Sequence, residues 1–250
     1  MDNKNILLWL EASLQSWGSD SKFGRRDTLQ FPTKSGILGL ILCAMGASGS
    51  QNDLLAKLSS GKIQIASYVR SKQSKDGQLL LKLNKEPLLR DFQMVGSGYD
   101  SKNPWESLLI PMTWDPVKKK SGKANNADGS RGGTKMTYRY YLQDACFAVV
   151  LEISAELDNS ICNALQNPVY DLYLGRKNCV PSDRIFQGSF GSISEAWQKA
   201  SVLAEEKQLV EDFRVLDGEH EGDVMTLNDV PLQFGEVKKY RDRRVTVVPS

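Results

Sequence analysis

Three cations, Arg25, Arg26 and Lys34, lead into Gln30-Phe31-Pro32-Thr33-Lys34-Ser35-Gly36-Ile37-Leu38-Gly39-Leu40, where a basic, irregular segment turns strongly apolar. Residues of these types in this order suit the binding of an anion. Pro32 fixes its own φ and pushes Phe31 out of the helical region, so the chain should arrive extended and start a helix just beyond, capped by Thr33 or Ser35. The free N–H groups of such a helix start, with Lys34 beside them, attract phosphate. Gly36 and Gly39 leave backbone bare where another chain could come close. The stretch is not a Walker nucleotide loop, which needs glycine at the positions occupied here by Thr28 and Thr33.

A second turn of the same chemistry follows Tyr173: Gly175-Arg176-Lys177 places two cations beside a glycine and an aromatic ring. Trp17, next to Gly18, either stacks a base or plugs the edge of a core. Between Gly96 and Gly133 the composition shifts to Gly, Ser, Asn, Asp, Pro and Lys, the pattern of a loop or mobile hairpin rather than packed core. Lys118, Lys119, Lys120, Lys123, Arg131, Lys135 and Arg139 concentrate positive charge there, against Asp115 and Asp128. Trp105, Trp114, Tyr138, Tyr140 and Tyr141 are interleaved with these cations. Rings stack on bases while Lys and Arg seek phosphates, so the mixture favours single-stranded nucleic acid over a merely solubilising loop.

Cleaving RNA without a metal needs a base for the 2′-OH and an acid for the leaving oxygen. His220 is the sole histidine and sits in Asp217-Gly218-Glu219-His220-Glu221-Gly222-Asp223, whose carboxylates would repel the substrate. Tyr138 with Lys135 is the other pair that could serve. Cys43, Cys146, Cys162 and Cys179 are widely spaced without a C-x-x-C pair, and Asp20, Asp27 and Asp91 stand apart among cations. The expectation is reduced thiols, no metal, no cofactor and no catalytic residue.

These residues must be positioned by a folded core, and 250 residues with 40% hydrophobic and 25% charged side chains supply one. A net charge of +2 means that any basic surface is local. Ile6 to Leu10 is a central strand buried on both faces, after which Glu11 to Gly18 leaves the strand pattern. Asp53 to Leu58 is helical and Lys62 to Arg70 an alternating strand. Lys75-Asp76-Gly77-Gln78 marks a hairpin, Leu79 to Leu83 returns, and Arg90 to Val95 is extended. Met136 to Leu142 leads to a core strand at Cys146 to Ile153, followed by a helix around Ile161 to Leu165. Ser194 to Gln208 is an amphipathic helix, strands lie near Phe213 to Leu216 and Leu232 to Phe234, and Arg241 to Val248 closes the chain as an edge strand. The fold class is α+β, a ferredoxin-like, RNA-recognition-motif-like sandwich. The apolar run Ile37 to Met45 is too short for a bilayer and no signal-peptide pattern is visible, so a cytoplasmic location and no membrane partner are expected.

Four stretches in order, Leu14 to Gly18, Phe31 to Leu40, the pair beginning at Arg90 and Tyr138, and Tyr173 to Cys179, resemble the Cas-five family of type I-E CRISPR surveillance complexes, Cascade. The likeness spans nearly the whole chain. It implies a ferredoxin-like palm over residues 1–180, a long β-hairpin thumb about residues 90–140, and a small C-terminal β-rich region over 181–250 that completes the fold. It further implies a non-catalytic subunit capping the 5′ handle of CRISPR RNA, with the backbone and large subunits as neighbours and target DNA reached through the assembled complex. On that likeness Gln15, Trp17, Gly18, Arg25, Arg26, Lys34, Ser35, Gly36, Gly39, Tyr138, Arg139, Gly175, Arg176 and Lys177 would face the RNA. Trp114, Lys118, Lys119, Lys120, Arg131 and Lys135 would face protein neighbours from the thumb. Relatives in another subtype cut precursor CRISPR RNA, which makes a metal-independent endoribonuclease the alternative.

Overall fold

The computed structural model describes residues 3–18, 21, 24–73, 79–95, 112–115, 120–123 and 135–250. Its spine is β1 (Asn3–Gln15), whose alternation sends Ile6, Leu8, Leu10 and Ala12 to one core and Leu7 and Trp9 to another on the opposite face. Burial on both faces is what the unbroken apolar run calls for. The strand continues to Gln15, past the point where its pattern was expected to end, because Glu11 finds Lys207 at 2.9 Å while Ala12 and Leu14 still turn inward.

Short β2 (Trp17–Gly18) pairs with β4 (Thr28–Leu29), and β3 (Arg25–Arg26) lies between them in sequence. Helix α1 (Lys34–Ala44) is capped by Thr33, whose hydroxyl accepts the Gly36 N–H at 3.1 Å. The short helix α2 (Asn52–Ser60) follows, then β5 (Ile63–Gln73) and its antiparallel return β6 (Leu79–Lys82). β7 (Leu89–Val95) pairs with the first part of β10 (Lys135–Ser154), and β8 (Met112–Asp115) pairs with β9 (Lys120–Lys123). The two segments expected at 136–142 and 146–153 are thus one strand of 20 residues. Asp144, at φ 45°, falls where β10 passes from β5, last paired at Cys146–Tyr68, to β7, first paired at Tyr141–Leu89.

Helix α3 (Ala155–Gln166), strand β11 (Phe186–Phe190) and helix α4 (Ile193–Glu206) come next. Ser192 and Glu195 form a reciprocal capping box at the start of α4, whose Ala196, Ala200 and Ala204 lie flat on the second face of the sheet over Trp9 and Tyr68. Among the described residues, strands β12 (Leu209–Asp217), β13 (Asp223–Gln233) and β14 (Lys239–Pro249) complete a ten-stranded, mostly antiparallel sheet whose main path runs β11-β1-β10-β5-β12-β14-β13, with β3 and β7 joined to β10 and β6 to β5. β14 is therefore interior and β13 lies at the edge, correcting the expected placement of the last strand: β14 pairs with β12 through Val245 to Pro249 and with β13 from Lys239 to Val247. The sheet runs without interruption across residue 180, since β11 hydrogen-bonds to β1 and β12 to β5. All four cysteines are free, Cys146 and Cys179 buried.

Candidate nucleic-acid interface

Where β1 ends, the chain turns through Ser16 so that Trp17 folds back into the core and Gly18 stays on the surface. Ser16 donates its N–H to the Leu174 carbonyl at 3.1 Å, which brings the turn at 174–179 alongside. Gly175 makes that approach possible. Its φ is +101°, and a Cβ there would sit 1.8 Å from the Ser16 carbonyl oxygen.

A groove of about 640 Å³ opens between this corner, the first turns of α1 and the turn from β13 to β14. Gly18, Ser35, Gly36, Gly39, Gly175 and Lys177 line it, as do Tyr173, Phe234, Lys238 and Tyr240. Among the described residues its only charged lining groups are Lys177 and Lys238, both exposed. A concave surface with cations, aromatic edges and bare glycine backbone, and no carboxylate to repel a phosphate, suits a single polynucleotide strand. Burial pushes the Tyr240 phenol above its ordinary value, so the ring stays neutral, and it lies edge-on to Phe234 at 6.4 Å.

Beside the groove, β3 runs parallel to β10, pairing Arg25 with Tyr138 and Arg26 with Arg139. The Arg176 guanidinium donates to the carbonyls of Arg26 (3.0 Å) and Tyr140 (3.3 Å) and lies 4.7 Å over the Tyr141 ring. The two basic turns anticipated from sequence therefore do meet, and Arg176 joins them with one donor from each of its two terminal nitrogens. Arg25 and Arg26 are exposed, Arg25 stacking 4.9 Å over Tyr140 with Asp27 at 2.8 Å. That carboxylate bond holds the Arg25 guanidinium above its usual range. Tyr138 is partly exposed and stacks on Phe92 at 5.2 Å, with the Arg90 guanidinium 5.7 Å from the centre of its ring, while Arg139 is half-buried.

Three of the residues expected to face the RNA turn inward instead. Lys34 is 4% exposed, its ammonium donating to the carbonyls of Ser59 (2.9 Å) and Gly61 (2.6 Å). Burial lowers its pKa, partly offset by Asp217. The start of α1 is no open anion site either, because the Lys34 backbone N–H already binds the Asp229 carboxylate at 2.8 Å. Gln15 is fully buried, donating to the carbonyls of Leu10 and Ala145 and accepting from the Trp17 indole at 3.0 Å. Trp17 is 1% exposed, its ring filling the space over Gly36, which explains that glycine by packing. Gly39 and Gly18 have open space where a Cβ would stand.

Lys118, Lys119 and Arg131 lie outside the described residues, whereas Trp114, Lys120 and Lys135 are placed only by backbone, in β8, β9 and at the start of β10. Sequence reasoning missed Phe234, Lys238 and Tyr240. Their signal was present: Phe234-Gly235 and Lys238-Lys239-Tyr240 repeat the union of ring, glycine and cation that marked the turn at Gly175. His220 is elsewhere, its ring nitrogen 3.0 Å from the Asp217 carbonyl. Among the described residues no cluster of His, Cys, Asp and Glu is arranged to hold a metal ion, and no helix is long and apolar enough to cross a membrane.

The family model described as CRISPR-associated protein (Cas_Cas5) matches residues 5–246. The CRISPR system Cascade subunit CasD of Escherichia coli is 28% identical over 189 residues, which cover 74% of this chain and 70% of that protein. A chain in a solved CRISPR RNA-guided surveillance complex superposes with a TM-score of 0.63 at 27% identity, covering 98% of this chain and 90% of its own. A second solved structure, described as a crystal structure of Cas protein, shares the fold with a TM-score of 0.52 at 23% identity, covering 98% of this chain and 95% of its own.

Proposed function

The chain belongs to the CRISPR-associated protein (Cas_Cas5) family, and on that premise we propose that it is a non-catalytic RNA-binding subunit of a type I-E Cascade surveillance complex, gripping the 5′ handle of CRISPR RNA. The likeness to a Cascade subunit and to a chain of an RNA-guided surveillance complex supports membership in such an assembly. The observation that carries the RNA role is the groove whose charged lining, among the described residues, is Lys177 and Lys238. The strand order β11-β1-β10-β5, with helices between the strands, supports a ferredoxin-like palm. On this reading the palm and its thumb occupy residues 1–180, and residues 181–250 complete the fold by adding β11 and extending the sheet with β12 to β14. On the same reading the thumb spans about residues 90–140, of which the β7–β10 ribbon is the described base, and its partners are the backbone and large subunits of the complex.

Expression with the whole CRISPR locus, purification through a tag on this chain, and mapping of the RNA ends tests the proposal. A CRISPR RNA 5′ end should travel with the chain, and its absence would reject the role. Lys177→Ala with Lys238→Ala should weaken retention and flatten its salt dependence by about 0.7 in log–log slope for each phosphate no longer neutralised. Lys34→Met should leave that slope unchanged while costing about 1–3 kcal/mol of stability, because it strips the donor from two buried carbonyls. A smaller slope for Lys34→Met would return that lysine to the RNA surface.

The isolated chain is expected to leave a repeat-containing transcript intact, with or without magnesium. Positioned acid and base groups each supply roughly 100- to 10,000-fold, and among the described residues the groove lining holds no histidine and no carboxylate. A single cut within the repeat, lost on changing Tyr138, Lys135 or His220, would place the protein among the endoribonucleases instead.

A further inference from the structure

We infer that the Asp229–Arg243 pair is a positioning device for the groove, locking the wall that carries Phe234, Lys238 and Tyr240 against the wall formed by the start of α1. The inference rests on the groove being the RNA site. Asp229 stands on β13 and Arg243 on β14, the two strands joined by the turn that bears Lys238. Arg243 Nε donates to Asp229 Oδ1 at 2.7 Å and Nη2 to Oδ2 at 2.9 Å, a two-pronged fit that fixes orientation as well as distance. The same Oδ2 accepts the backbone N–H of Lys34, the first residue of α1, at 2.8 Å. One carboxylate thereby holds both walls at once, across 195 residues of sequence.

The pair is nearly dry, with side chains 10% and 6% exposed, so water does not loosen it. Arg243 Nη1 also reaches Asp217, whose other oxygen accepts the Ile63 N–H at 2.9 Å. This second arm ties β14 to β12 and β5 and makes no hydrogen bond to α1. Lys34, Arg243, Asp217 and Asp229 together carry no net charge. Binding groups on opposite walls must meet the same strand of phosphates, and a shift of about 1 Å in one wall is enough to spoil such a fit.

The two arms give the test its control. Asp229→Asn and Asp217→Asn leave the same uncompensated positive charge, so both should lower stability, yet only the first disturbs the link to α1, since an amide offers one acceptor oxygen where the Arg243 fork and the Lys34 N–H together occupy two. The full chain would be titrated with a fluorescein-labelled, repeat-derived single-stranded RNA at a temperature where near-UV circular dichroism shows each variant folded. Asp229→Asn should bind about tenfold more weakly, with the salt slope unchanged because no phosphate ligand has gone. Asp217→Asn should bind as the parent does. Equal weakening by both, or none by Asp229→Asn, would overturn the inference. Arg243→Lys, which keeps the charge but not the fork, serves if Asp229→Asn does not fold, with the same loss at unchanged slope expected. A slope smaller by about 0.7 would mean that a phosphate contact has gone with the variant and would also overturn it. A parent chain that holds no RNA at all would instead remove the reading of the groove.

Discussion

Trp17→Ala should unfold the protein far more readily while saying little about base stacking. The ring is 1% exposed and among the largest fully buried side chains, and emptying such a site costs about 3–5 kcal/mol. A further penalty follows because the Gln15 carbonyl oxygen, itself fully buried, loses the indole N–H that it accepts at 3.0 Å. The backbone of Trp17 is also tied to the Thr28 hydroxyl at 2.8 Å, so the β2–β4 bridge should loosen with it. A tryptophan that stacked a base would stand in solvent, and its removal would cost about 1–3 kcal/mol of RNA affinity with the fold untouched. Urea unfolding separates the two: a fall in midpoint at constant m supports the core role. A parent-like midpoint with RNA retention abolished would sink it.

The difference between these readings shows where the sequence was legible. Unbroken apolar runs announced β1 and α1, and amphipathic spacing announced α4, because the burial of each follows from its own stretch of sequence. Pro32 and Thr33 announced the start of α1 because capping is a local matter, and the structure uses Thr33 as the cap. What failed was the assumption that cations and rings near glycines point outward. Lys34 is drawn inside by the carbonyls of Ser59 and Gly61, and its N–H by Asp229, partners that no local rule connects to it. The wall bearing Lys238 and Tyr240 carried a ring, glycine and cation signal, but its place at the groove was not legible for the same reason: it joins the groove through the packing of β13 against α1 and α2. The turn at Gly175 was legible as a site, although its glycine serves an approach within the chain.

Gly175→Ala should therefore be costly in both stability and RNA retention. At φ +101° an L-residue is strained, typically by about 1–3 kcal/mol, and here the new methyl would meet the Ser16 carbonyl at 1.8 Å. That oxygen is backbone at the end of β1, with no flexible side chain to give way. The turn must then abandon its hydrogen bonds, Leu174 N–H to the Cys179 carbonyl at 2.8 Å and Ser16 N–H to the Leu174 carbonyl at 3.1 Å. Lys177 would leave the groove and Arg176 the carbonyls of Arg26 and Tyr140. Gly39→Ala is the matched comparison, because a Cβ there meets nothing within 4 Å and alanine favours the interior of α1 by up to about 1 kcal/mol. Its stability should hold or rise, so any loss of RNA affinity would report close approach of the strand at Gly39. If Gly175→Ala melts with the parent and keeps its RNA, the clash at Ser16 is relieved cheaply and the turn does not set the position of Lys177.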